Sequence, residues 1–294
     1  DALLSAVTNF NAAAALVDTD TSATLNEKDT ALFFGAFSQL ASLANPYSDL
    51  VDNGLNNVGD ILDAFGFNGN DLRSNFDLIS HPGTALSSDA PTTADLQAFL
   101  FNKVSTELTA AVARFNRVSN SFNHEWADPS DQQVTEFDYA DALFMKGLAQ
   151  AMLAQLNIQE AYEIDVDIDA EDRAMLNNPD RTKEEFLTAN PNVGKLKADA
   201  ETKLATAKTH LGNAIDTAQA AVAAIEAETD TDLGQQNDFI SFYTETCNWN
   251  QNYSEYTCAY DATLAAADLA AVKQGLVDAK TGLTEGTTTI NGVS

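Results

Sequence analysis

Residues 195–228 carry apolar side chains at steps of three and four, and this spacing constrains the fold more than any other feature of the sequence. Residues three or four positions apart lie on one face of an α-helix, so the pattern predicts a helix with one apolar stripe. The stripe consists of Leu196, Ala200, Leu204, Ala207, Leu211, Ile215, Ala218, Val222 and Ile225. Such a helix would be about 50 Å long at 1.5 Å per residue. It needs other apolar surfaces against which the stripe can pack.

Three other long segments show the same spacing, at residues 91–122, 139–164 and 262–283. The segment 139–164 is apolar around more of its circumference, which predicts a central position in the fold. Its apolar residues include Leu143, Phe144, Leu148, Met152, Leu156 and Ile158. No alternating run is long enough to predict a sheet, and only six prolines interrupt the chain.

These patterns predict an all-α fold of antiparallel helical hairpins, arranged as a bundle or a short solenoid. Shorter helices are predicted at residues 2–17, 29–43 and 48–65, and loops at 81–93, 127–136, 165–183 and 228–260. We expect residues 1–284 to form a single all-helical domain and residues 285–294 to form a flexible C-terminal tail.

Two N-terminal segments are similar to a known helical repeat. The residues that carry the similarity are Ala6, Phe10 and Ala13, followed after an acidic turn by Ala31, Phe34 and Gly35. Residues 1–35 thus resemble the second helix of one tetratricopeptide-like unit leading into the first helix of the next. They differ from the family pattern in having Asp18 where a proline is usual. The resemblance implies stacked helical hairpins and a concave face that binds a peptide or protein partner.

Acidic residues greatly outnumber basic ones, with 44 Asp and Glu against 15 Lys and Arg, and the formal net charge is −29. A surface this negative repels phosphate backbones and anionic lipid headgroups, so nucleic acids and inner-leaflet membranes are poor partners. It also favours solubility in high salt, which indicates a marine or otherwise halotolerant source. No run of about 18 apolar residues is present, so the sequence predicts no transmembrane segment.

The chain has only two cysteines, Cys247 and Cys258, in a polar segment rich in Asn and Tyr. Two thiols this close predict a disulfide, and two unrelated free thiols are the alternative. A disulfide would place the protein in an oxidising compartment, which means the periplasm, the cell surface or the extracellular medium. The start at Asp1 instead of Met fits a mature or trimmed product whose export signal has been removed, although a chain cut at an arbitrary boundary would look the same.

The segment around the cysteines is unusually aromatic. Trp249, Tyr253 and Tyr256 lie there together with Asn250. Flat amphipathic rings next to amide groups are suited to stacking on sugar faces or to binding a peptide, so these four residues are predicted to bind a ligand. The alternative is that the rings anchor a long loop to the helical core.

The turn at residues 18–29 carries oxygen-bearing side chains at the spacing of a helix-loop-helix calcium site. These side chains belong to Asp18, Asp20, Ser22, Asn26 and Asp29. Ca²⁺ takes about six to eight oxygen ligands, and a short turn of this kind can supply them. Ala23 stands where such a loop usually has glycine. The alternative is a solvated turn in which Asn26 or Asp29 caps the next helix.

The sequence contains no recognisable catalytic signature. His124 and Glu125 are adjacent, but no second ligand accompanies them, and we interpret His124 as a surface residue at a helix end. We therefore predict an exported, acidic, non-enzymatic binding or scaffold protein that engages a protein or glycan partner. The alternative is a secreted polymer-acting hydrolase or lyase that uses carboxylates not yet assigned. An aromatic-lined cleft with two carboxylates about 5 to 9 Å apart would favour its glycosidase form.

Overall fold

The computed structural model describes residues 2–45, 58–64, 91–127, 134–178, 180–227, 239, 245–250, 255–260 and 262–285. This part of the chain is mostly helical, which confirms the predicted all-α class. None of the helices in it is both long enough and apolar enough to cross a membrane. The predicted tail lies outside it, apart from Glu285, which ends the last helix. The single-domain organisation and the tetratricopeptide-like repeat stay predictions.

Helices α1 (Ala2–Leu16) and α2 (Leu25–Leu43) pack against each other near the start of the chain. Helix α2 begins before its predicted start because Thr24 and Glu27 form a capping box. The Thr24 hydroxyl accepts a hydrogen bond from the Glu27 amide at 3.3 Å, and the Glu27 carboxylate accepts one from the Thr24 amide at 2.7 Å. Of the helix predicted next, the described part is α3 (Val58–Ala64).

A longer helical run follows, as the second apolar stripe predicts. It consists of α4 (Thr93–Phe99), a π-helical turn (Leu100–Val104) and α5 (Ser105–Phe115). The stripe predicted a helix that continues to residue 122, and this end is wrong. Val118 and Phe122 lie in the turn that follows α5, and both are buried. They therefore belong to the core although they are not helical.

Two antiparallel β-hairpins lie where the sequence predicted loops or a helix end. Strand β1 (Asn123–Ala127) pairs with β2 (Val134–Asp138), and β3 (Glu245–Asn250) pairs with β4 (Glu255–Tyr260). The expectation of no strands is therefore wrong at these positions. Strands of five or six residues are too short to show a clear alternation, and they depend on pairing with a partner strand rather than on local spacing.

The second half of the chain contains α6 (Tyr139–Glu160), α7 (Ile168–Asn177), α8 (Lys183–Ala189), α9 (Ala200–Ala227) and α10 (Ala262–Glu285). Helices α6, α9 and α10 lie where long apolar stripes predicted them. Helix α7 replaces most of a predicted loop, because Asp167 caps it by accepting a hydrogen bond from the Ala170 amide at 2.9 Å.

Helix α6 packs against both α5 and α9, as its predicted central position requires. A cluster of phenylalanines fills the core between α2, the end of α5 and strand β2. The Phe33 ring centre lies 5.8 Å from that of Phe115, 5.1 Å from that of Phe122 and 5.6 Å from that of Phe137. A second cluster joins α4, α5 and α6 through Phe99, Leu108, Ala149, Leu153 and Leu156.

A polar network joins α1, α2 and α5 beside this core. The half-buried Arg114 guanidinium donates hydrogen bonds to Asn11 Oδ1 at 2.7 Å and to the Gly35 carbonyl at 3.1 Å, and it also contacts Gln39. Gln39 in turn donates to the Glu107 carboxylate. Burial lowers the pKa of Arg114, and the nearby Glu107 opposes that change. These bonds fix the relative positions of the three helices.

Candidate functional site

In the acidic turn between α1 and α2, two of the predicted calcium ligands, Asp18 and Asp20, interact with other groups of the protein. Asp18 forms an ion pair with Arg117 at 2.5 Å. Asp20 Oδ1 accepts hydrogen bonds from the Ser22 hydroxyl at 2.6 Å and from the Ser22 amide at 2.8 Å. Both hydrogen bonds lower the pKa of Asp20 because they stabilise the carboxylate, and the bond from the Ser22 hydroxyl has the larger effect. The turn is thus ordered by its own side chains.

Asp29 is buried away from that turn. It is 1% exposed and accepts hydrogen bonds from the Ser119 amide at 3.1 Å and the Ser119 hydroxyl at 2.5 Å. Asn26 is exposed in the first turn of α2, and the cap of α2 is Thr24, so the alternative that Asn26 or Asp29 caps this helix is wrong. Within the described ranges, no three Asp, Glu, His or Cys residues are placed to hold a metal ion. Calcium binding at the turn stays a prediction.

An open cleft of about 320 Å³ lies beside the turn, between α1 and α2. Its lining consists of Ala13, Leu16, Val17, Asp20, Ser22, Ala23, Glu27, Lys28 and Ala31. The amide and the hydroxyl of Thr24 lower the pKa of Glu27, so both acidic groups at the rim are carboxylates at neutral pH. None of the described residues that line this cleft is aromatic.

His124 lies on strand β1, and its interpretation as a helix-end residue is wrong. Its ring meets the Phe34 ring edge to face, with 5.4 Å between the ring centres, so it extends the phenylalanine core. The adjacent Glu125 stands opposite Glu136 across the hairpin. The Glu136 carboxylate accepts a hydrogen bond from the Asn123 side chain. The contact with Phe34 makes His124 a packing residue.

The β3–β4 hairpin contains the predicted cysteine pair and most of the predicted ligand-binding residues. Its backbone register places Cys247 directly opposite Cys258 and Trp249 directly opposite Tyr256. Alternate residues of a strand lie on the same face, so these two cross-strand pairs share one face of the hairpin. We call this surface the aromatic hairpin face.

The register divides the four predicted ligand-binding residues. Trp249 and Tyr256 lie on the aromatic hairpin face, whereas Asn250 stands opposite Glu255 on the other face. Tyr253 lies outside the described residues.

The outward side of α6 is a surface that the sequence analysis missed. Phe144, Leu148, Met152 and Ile158 lie there and are 39%, 47%, 44% and 37% exposed. The predicted central position of this helix gave no indication that one side is exposed. We call Phe144, Leu148, Met152, Gln155, Ile158 and Gln159, which are all the exposed residues of this helix, the α6 outer face. The signal was present in the sequence as an apolar character around most of the helix, which is unusual for a helix with a solvent-facing side.

Comparison with protein-family models, curated proteins and solved structures finds no match for this chain. The function therefore has to be inferred from the chain's own residues and geometry.

Proposed function

We propose that this chain is an exported, non-enzymatic binding protein in which the helical body carries the β3–β4 hairpin, and that the aromatic hairpin face binds a protein or glycan ligand. The observation that carries the proposal is the register of the hairpin. It sets Trp249 opposite Tyr256 next to the pair Cys247 and Cys258, on the same face.

The register supports a disulfide between Cys247 and Cys258, which are directly opposite each other. Opposite residues of an antiparallel pair have Cα atoms about 4.5 to 5.5 Å apart, within the range of about 4.4 to 6.8 Å seen in disulfides. In the chain-entropy model, closing a loop of this size stabilises the folded state by about 3 kcal/mol. This contribution matters because an isolated two-stranded hairpin is only marginally stable in water. A structural disulfide also supports export to an oxidising compartment.

The aromatic pair supports a ligand with flat apolar faces. Trp249 and Tyr256 carry large rings with a polar edge, and such rings stack on sugar rings or pack against peptide side chains. Cross-linked neighbours reduce the freedom that the rings lose when a ligand binds, and this preorganisation favours affinity. The net charge of −29 makes neutral or cationic ligands better partners than anionic ones.

The aromatic hairpin face can be tested by fluorescence because the chain contains only two tryptophans, Trp126 and Trp249. In a Trp126→Phe variant the emission reports on Trp249 alone. We expect a ligand that stacks on the hairpin to shift this emission during titration. A panel of neutral oligosaccharides, acidic oligosaccharides and short peptides identifies the ligand class.

A substitution then locates the binding surface. Trp249→Ala is expected to weaken binding of the identified ligand at least about tenfold, which corresponds to about 1.4 kcal/mol. Trp126→Ala is the matched control, since Trp126 also lies on a hairpin strand and is 53% exposed. Equal losses in the two variants, or no binding to any member of the panel, would contradict the proposed ligand site.

Intact mass after alkylation tests the disulfide separately. We expect no alkylated cysteine in the unreduced protein and two after reduction, because both thiols are used in one bond. Two alkylated thiols before reduction would rule out the disulfide and remove its support for export. The titration would then decide the binding role alone.

A further inference from the structure

The α6 outer face differs from the rest of this acidic surface because it carries no charge. Its exposed residues are four large apolar side chains and two glutamines. By contrast, the exposed residues of α9 include Glu201, Lys208, Asp216 and Glu226. In a chain with a net charge of −29, an uncharged and largely apolar strip along much of one helix calls for a physical reason.

The apolar residues form a continuous strip. Phe144, Leu148 and Met152 follow each other at steps of four, and Ile158 lies further along the same side of the helix. From Phe144 to Ile158 the strip is about 21 Å long at 1.5 Å per residue. Exposed methionine and aromatic side chains are enriched at the centres of protein interfaces, where charged residues are depleted. The composition is that of an interface and not of a solvated face.

The remaining sides of α6 are already occupied. Its buried residues contact α5 through the cluster of Leu108, Ala149, Leu153 and Leu156, and they contact α9 on another side. Helix α9 is in contact with that side, since a Cβ added at Gly147 would lie 3.5 Å from the Ala214 carbonyl oxygen. The outer face is therefore the side of α6 that is left for a contact with another molecule.

We propose that a second copy of this chain docks on the α6 outer face, so that the two α6 helices pack against each other across a two-fold axis. In such a dimer each patch meets an identical patch, so a patch whose charges are all carboxylates sets like charges against one another. Like charges brought together at an interface cost several kcal/mol. A chain this acidic can pair with itself where the contact surface has no carboxylate, and the α6 outer face meets that condition.

The charge pattern also argues against a cationic protein as the occupant. A basic partner gains most electrostatic attraction where carboxylates are dense, and an uncharged strip would give it no such attraction. Self-association through this strip is independent of the aromatic hairpin face, because the two surfaces lie on different elements. Failure of one proposal therefore leaves the other standing.

Sedimentation equilibrium in about 0.15 M NaCl, where the screening length is about 8 Å, tests the dimer. We expect the wild-type chain to be dimeric and Met152→Glu to raise the dissociation constant at least tenfold, because the substitution places two like charges at the contact. Met175→Glu is the matched control, since Met175 lies on α7 and is 61% exposed. It should leave the dimer unchanged.

Leu148→Lys separates the loss of contact from added negative charge, because it makes the chain less acidic and should still dissociate the dimer. Circular dichroism spectra that match the wild type show that each variant is folded. A wild-type chain that is monomeric at its highest soluble concentration would overturn the proposal. So would a dimer that persists in both α6 variants, or one that Met175→Glu dissociates equally.

Discussion

At the scale of single residues, burial decides what a carboxylate does. Asp20 and Asp29 belong to the same acidic segment, but Asp20 is exposed and orders its own turn. Asp29 is buried beneath the turn after α5, where Ser119 supplies two hydrogen-bond donors in place of water. These hydrogen bonds connect α2 to a residue 90 positions later in the chain.

We expect Asp29→Ala to lower the free energy of unfolding by about 1 to 3 kcal/mol, because it leaves the Ser119 amide without its buried acceptor. Urea denaturation followed by circular dichroism measures the change. Asp165→Ala is the control, since Asp165 is exposed, and a surface substitution of this kind stays within about 0.5 kcal/mol. Equal effects of the two substitutions would show that the Asp29 hydrogen bonds do not stabilise the fold.

At the scale of helices, two glycines lie where helices pack together, and the space around them differs. A Cβ added at Gly35 would lie 3.2 Å from the Ala14 Cβ and 3.3 Å from the Phe10 carbonyl oxygen, where α1 crosses α2. A Cβ added at Gly147 would lie no closer than 3.5 Å to any atom of α9, which is ordinary contact. The first helix pair depends on the missing side chain, and the second does not.

The same substitution at both sites should therefore have different results. Gly147→Ala is expected to raise the free energy of unfolding by about 0.5 to 1 kcal/mol, because alanine favours the helix and the space is available. Gly35→Ala should gain less or lose stability, because α1 has to shift. Urea denaturation of both variants measures the difference. A gain at Gly35 as large as that at Gly147 would contradict the assignment of tight packing between α1 and α2.

At the scale of the whole molecule, the surplus of carboxylates dominates the electrostatics. The formal charge of −29 is spread over 294 residues, and mutual repulsion of these charges destabilises the compact state. Several of the 15 basic residues are bound in ion pairs, such as Lys273 with Glu226 and Lys280 with Asp216. These pairs are solvent-exposed and contribute little each, so repulsion remains the larger effect.

We expect the melting temperature to rise as NaCl increases from about 0.1 to about 1 M, because the screening length falls from about 10 Å to about 3 Å. A fall or no change would show that repulsion does not limit stability.

Calcium and magnesium chloride at equal ionic strength extend the same measurement to the acidic turn. A calcium site there predicts a larger rise with calcium that Asp20→Ala abolishes, and equal rises with both cations would remove it.

The sequence by itself determined the helical class and the positions of the long helices. The stripe that contains Ile215 and Val222 predicts α9 because residues three or four apart lie on one helix face whatever the rest of the chain does. Apolar spacing did not determine where α2 begins. Its start is set by the capping box of Thr24 and Glu27, which acts through a few local hydrogen bonds. Local spacing also marked α6 as unusually apolar.

Only the tertiary structure decided which apolar residues of α6 are buried, which acids are buried and where the strands pair. Leu153 is in the core and Met152 is exposed because of where the neighbouring helices pack. The apolar spacing of α6 does not show on which sides those helices lie. The burial of Asp29 depends on Ser119, and the opposition of the two cysteines depends on a strand register. Each is a contact between residues that local sequence does not bring together, because its free energy arises only once the whole chain has packed.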